Sequence, residues 1–106
     1  MAPKKMNRVF VVGVGMTNFT KPQKEVKPPY FTDLVEQAVT RALDDCGIDK
    51  ELIEYAAVGN IYGTGYGQRA LYPLGIYDIP IINCHNACAT GSNALYLARQ
   101  QVAFGA

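Results

Sequence analysis

The chain has 106 residues, 49% hydrophobic and 18% charged, enough for one small core and too apolar for disorder. A formal net charge of +1, with a single basic cluster at Lys4, Lys5 and Arg8, provides no field for nucleic acid or an anionic membrane surface. Three cysteines (Cys46, Cys84, Cys88) with no C-x-x-C pair, no secretory signal before Arg8 and no apolar run of bilayer-spanning length predict a reduced protein of the cytosol or mitochondrion, without disulfides.

Residues 1–7 read as a flexible N-terminus. Arg8 to Gly15, RVFVVGVG, is an apolar run rich in β-branched residues and predicts a strand buried on both faces of a parallel sheet. Its Gly13-Val14-Gly15 ending is not a dinucleotide fingerprint, because Asn18 occupies the place of the third glycine and a lysine- and proline-rich loop, Thr20 to Pro29, follows instead of a helix. From Thr32 or Asp33 the period becomes helical. Leu34, Val35, Ala38, Val39, Ala42, Leu43 and Cys46 make one apolar stripe, Asp33 with Glu36 reads as a capping-box-like start, and Gly47 is a stop. Asp49 to Glu54 has room for one helical turn, and Tyr55 to Ile61 reads as a second strand, closing a strand-helix-strand unit.

Gly63 to Gly75, GTGYGQRALYPLG, is glycine-rich but lacks the Lys-Ser or Lys-Thr of a phosphate loop, since Gln68-Arg69 stand there. A short helix is expected over Ala70 to Leu74. Ile79 to Ile82 is a third apolar strand, followed by a polar turn, Asn83 to Ala87, and a helix from about Cys88 to Phe104. That helix is apolar over most of its circumference and belongs inside something larger. The expected fold class is therefore α/β, in the order β-α-β-(α)-β-α, with mainly parallel strands, incomplete as a domain on its own.

Cys88 lies at the mouth of that last helix, where unpaired N–H groups and a partial positive charge favour a thiolate over a thiol and make it a candidate nucleophile. The small residues after it, Ala89, Gly91, Ser92 and Ala94, permit close approach of a substrate or of backbone. A plain core helix with a cysteine as apolar filler is the competing reading. His85, the only histidine, stands three residues before Cys88 and is a candidate base or simply a turn residue. Cys84, His85 and Cys88 lack a fourth ligand and normal spacing, so no metal site is expected.

Arg8 to Pro22, the GQRALY stretch at Gly67 to Tyr72, and IPIINCHNACATGSNAL at Ile79 to Leu95 resemble the N-terminal part of the thiolases, of the sterol-carrier-protein-X type that cleaves 3-ketoacyl-CoA. The resemblance runs from about Arg8 to the end and covers roughly the first quarter of a thiolase. It implies that residues 8–106 are the N-terminal part of a truncated thiolase-like domain, and that Cys88 is the acyl-accepting nucleophile whose backbone N–H serves an oxyanion hole. It also implies acyl-CoA and CoA as substrates, coenzyme A as co-substrate with no tightly bound cofactor, a homodimer, and a peroxisomal enzyme of fatty acid β-oxidation. Gly67 and Gln68 match a loop near the active site and dimer contact, and Asn86 and His85 belong to the turn before the nucleophile. That turn departs from an asparagine-rich pattern at Cys84, His85 and Ala87. Neither Cys46 nor Cys84 matches the family's second, acid/base cysteine, so this segment alone is not expected to complete a thiolase cycle. The alternatives are a non-catalytic thiolase-like interaction subunit and a related acyl-condensing or aldolase chemistry; Cys88 argues against the aldolase.

Overall fold

The computed structural model describes residues 5–22, 24, 25 and 27–105. Its elements are α1 (Phe31–Cys46), a 3-10 turn at Lys50–Leu52, β1 (Ala56–Gly59), α2 (Tyr66–Leu71) continued by a 3-10 turn at Tyr72–Leu74, β2 (Ile81–Cys84), a 3-10 turn at Ala87–Ala89, and α3 (Thr90–Phe104). The two strands are parallel, with Ala56 opposite Ile81 and Gly59 opposite Cys84. α1 packs on α2, and α3 covers both strands. This is a mixed α/β arrangement around a parallel pair, incomplete as a domain.

α1 follows its sequence pattern residue by residue: the stripe from Leu34 to Cys46 is half-buried, and Glu36, Gln37, Thr40, Arg41, Asp44 and Asp45 are exposed. Its start lies slightly earlier than expected. Tyr30 is the N-cap residue, and its N–H donates to Asp33 Oδ2 at 2.8 Å, so Asp33 serves the first turn from inside rather than capping it. Gly47, left-handed at φ 67°, ends the helix as expected.

The strand expected at Arg8 to Gly15 does not form. The run makes no sheet ladder and its apolar side chains are exposed, Val11 at 75%. β propensity needs a partner to express itself, and among the described residues the only pairing joins β1 to β2. The run is instead held against helices at a few points. Val14 N–H donates to Asp45 Oδ2 at 2.9 Å, the Arg41 guanidinium donates to the Met16 carbonyl, and Asn7 donates through its backbone to Ala103 and through its side chain to Val102. Residues 1–4 of the expected flexible N-terminus lie outside the described residues, as do Gln23 and Val26 of the lysine- and proline-rich loop.

The parallel unit is therefore β1-α2-β2 rather than one built on the first apolar run. Among the described residues the buried apolar ones are few: Ala70, Leu71, Ile76, Cys84, Ala94 and Ala103. An apolar cavity of about 800 Å³ lies between α1, β1 and Gly13 to Gly15. Leu95, Tyr96, Val102 and Phe104 of α3 face outward, in keeping with an apolar helix that has cover on one side only.

Candidate active site

β2 supplies the floor of the site. Ile81 and Ile82 are a β-branched pair suited to a strand, and Asn83 interrupts the run with a polar side chain bonded through both its oxygen and its nitrogen. Asn83 Oδ1 accepts the Gly67 N–H at 2.7 Å, and its Nδ2 donates to Gln68 Oε1, also at 2.7 Å. Gln68 Nε2 in turn donates to the Ile81 carbonyl at 3.3 Å. α2 is thus fastened to β2 through a pair of amides. Gly67 is buried at this contact, and a Cβ there would stand 2.8 Å from Asn83 Oδ1 and 2.9 Å from Ile81 Cγ2. Gly67 and Gln68, which the sequence suggests as active-site loop residues, sit on α2 with their polar groups turned to β2.

The end of β2 is a junction. The Cys84 carbonyl accepts both the Thr90 hydroxyl, at 2.7 Å, and the Asn60 N–H, at 3.2 Å. One oxygen therefore ties together the ends of β1 and β2 and the start of α3. Asn60 Oδ1 also accepts the N–H groups of Tyr62 and Gly63, at 2.7 and 3.0 Å, which fixes the turn leaving β1. Cys84 is 4% exposed, a core thiol, and Cys46 is half-buried on α1 with its thiol directed to the Leu43 carbonyl.

Between Cys84 and Thr90 the chain makes the turn that carries Cys88. His85, Asn86, Ala87, Cys88 and Ala89 are all exposed. Ala87 has φ 48°, a left-handed conformation that costs a residue with a Cβ roughly 1–2 kcal/mol and is favoured only where neighbours impose it. The Asn86 carbonyl accepts the Ala89 N–H at 3.0 Å, closing the 3-10 turn, and Asn86 Oδ1 accepts from Asn93 Nδ2 at 2.7 Å. Regular α3 begins at Thr90, two residues later than the sequence suggests, because Ala87–Ala89 form a 3-10 turn ahead of it. Cys88 therefore precedes the helix N-cap, Ala89, which makes no side-chain capping bond. The positive end of the α3 dipole lies at this turn.

Of the three cysteines Cys88 alone is exposed, which is not the place of an apolar core filler. Among the described residues no three histidine, cysteine, aspartate or glutamate side chains gather as a metal-binding group. Sequence reasoning passed over Asn60, Asn83, Thr90 and Asn93 as working parts of the site. A polar residue at the end of a short apolar run, as at Asn60 and Asn83, is a usable signal, since a buried polar group needs a partner. Asn93 carried no such sign.

A family model spans nearly all of the chain, this strand, turn and helix included. Residues 9–106 match the thiolase N-terminal domain, and the chain belongs to the thiolase family. Among its relatives, the "Sterol carrier protein 2" of Homo sapiens is 50% identical over 105 residues, covering 97% of this chain and 19% of that protein. The "Non-specific lipid-transfer protein-like 2" of Caenorhabditis elegans is 48% identical over 106 residues, covering 99% and 25%. The "Benzoylsuccinyl-CoA thiolase subunit BbsB" of Thauera aromatica is 36% identical over 101 residues, covering 92% and 25%. The chain spans a quarter or less of the length of these curated relatives. No helix among the described residues is long and apolar enough to cross a membrane.

Proposed function

We propose that this chain provides the nucleophile of a thiolase, with Cys88 accepting the acyl group in thiolytic cleavage of 3-ketoacyl-CoA. The observation that carries the reading is the exposed Cys88 on a turn fixed at both ends, directly ahead of α3, within a chain of the thiolase family. The Cys88 thiolate attacks the C3 carbonyl, and the backbone N–H of Cys88 helps to stabilise the resulting oxyanion. The C2–C3 bond then breaks, its electron pair passing to C2, which takes a proton and leaves as acetyl-CoA or propanoyl-CoA. The thiolate of free coenzyme A attacks the acyl carbon on Cys88, and the shortened acyl-CoA departs as Cys88 is restored. The acid that protonates C2 is assigned to residues outside this segment, as the resemblance implies, since neither Cys46 nor Cys84 matches the family's acid/base cysteine. A homodimer and a peroxisomal role in fatty acid β-oxidation are part of the same proposal, carried by the resemblance.

The test uses the whole natural polypeptide, incubated with a 3-ketoacyl-CoA in the absence of free CoA and analysed by peptide mass spectrometry. The expected result is an acyl adduct on Cys88 that added CoA removes, and no adduct in Cys88→Ala. An adduct on Cys46 or Cys84, or none on any cysteine, would overturn the assignment.

A second reading, a non-catalytic thiolase-like subunit that works by docking on a partner, draws on the outward-facing apolar residues of α3 and of Val9 to Val14. It expects a stoichiometric complex that Cys88→Ser leaves intact, with no acyl transfer by either form.

A further inference from the structure

Cys88 stands on a turn whose backbone is held in an uncommon shape by a side chain from the following helix. Ala87, immediately before it, is left-handed, and such a conformation persists only where the surroundings over-determine it. Thr90 secures the end of the turn from within, through its bond to the Cys84 carbonyl. At the beginning the turn is secured by Asn86, whose carbonyl closes the 3-10 turn on Ala89 and whose side chain is held by Asn93 Nδ2 at 2.7 Å. Asn93 lies in α3, one turn beyond the N-cap, so it ties the residue two places before Cys88 to a regular helix. α3 starts without a side-chain cap, and this backward reach of Asn93 is the polar side-chain link between its first turn and the exposed part of the loop.

We infer that Asn93 is a positioning residue for Cys88, acting through Asn86 to hold the thiol in its attacking position. The inference rests on reading Cys88 as the nucleophile, and it explains why an amide sits at position 93, where packing asks only for a helix former. A nucleophile displaced by about 1 Å can lose on the order of 10²-fold in rate, so a single pinning bond on an exposed turn has a measurable effect.

The experiment measures iodoacetamide alkylation of each cysteine in the whole natural polypeptide, beside kcat and KM for thiolysis. Asn93→Ala is expected to slow Cys88 alkylation and lower kcat about tenfold, with little change in KM. The double variant N86A/N93A should lose no more than either single variant, the signature of a pair acting as one. Asn93→Asp should recover most of the rate, since the Asn86 amide can turn over and donate to the carboxylate. Cys84, buried in the junction, reports general loosening and should stay protected throughout. Unchanged Cys88 alkylation in Asn93→Ala, multiplying losses in the double variant, or loss accompanied by labelling of Cys84 would each overturn the inference. Alkylation that follows the expected pattern in a protein without thiolysis would sink the enzymatic reading and leave the positioning role standing. Acylation of Cys88 without that pattern would do the reverse.

Discussion

Residues 8–16 and residues 83–93 are stretches of similar length with opposite kinds of order. The first is rich in valine and lies over helices α1 and α3, held by a few bonds from exposed side chains, with most of its own side chains in solvent. The second is short of large apolar groups, yet its shape is determined by Asn83, Asn86, Thr90 and Asn93, each bonded to a specific atom nearby. Apolar character and β propensity place a segment near a core without giving it a fixed partner. Directional bonds at a strand end do give it one, and that is where Cys88 sits.

The comparison is broken most severely by removing the amide at the floor of the site. Asn83→Ala leaves the Gly67 N–H and Gln68 Oε1 without their partner, and should cost about 1–3 kcal/mol in denaturant unfolding of the whole natural polypeptide. If Asn83→Ala is neutral, the α2–β2 fastening contributes nothing and the contrast between the two stretches loses its basis. A smaller effect is expected from Thr90→Val, which keeps the shape and deletes the hydroxyl. The Cys84 carbonyl still has the Asn60 N–H, so the loss should be roughly 0.5–1.5 kcal/mol. Hydrogen exchange at Asn60 is expected to quicken at the same time, because the start of α3 is no longer tied to the strand end that Asn60 bonds. The smallest change belongs to the other stretch. Asp45→Ala should alter stability by no more than about 0.5 kcal/mol, as exposed substitutions usually do, while exchange of the Val14 amide accelerates. A large loss of stability there would mean that residues 8–16 are as firmly built in as the turn.

The two stretches also differ in how far they could be read in advance. The α1 stripe and its end at Gly47 were legible because each depends on local periodicity and local turn chemistry, and a strand near β2 was legible too, although it runs Ile81–Cys84, two residues beyond the expected Ile79 to Ile82. The place of Cys88 between a strand and a helix was legible too, and its exposure is what the structure adds. The strand expected at Arg8 to Gly15 was not realised, since pairing is a property of two segments and this one finds no ladder among the described residues. The roles of Asn93 and Thr90 were illegible for a related reason. Each is defined by a partner six or seven residues away across a turn whose left-handed Ala87 no composition announces.

By itself the sequence determined the α/β class, the amphipathic face of α1 and an acidic, exposed opposite face, because side-chain transfer from water and helical period are encoded residue by residue. Tertiary structure alone decided which apolar run became a strand, which cysteine was left in solvent, and which amides brace the turn between them. Those outcomes depend on the single set of distances at which the β2 end, α2 and α3 meet, and hydrogen bonds discriminate at that scale where hydrophobic burial does not.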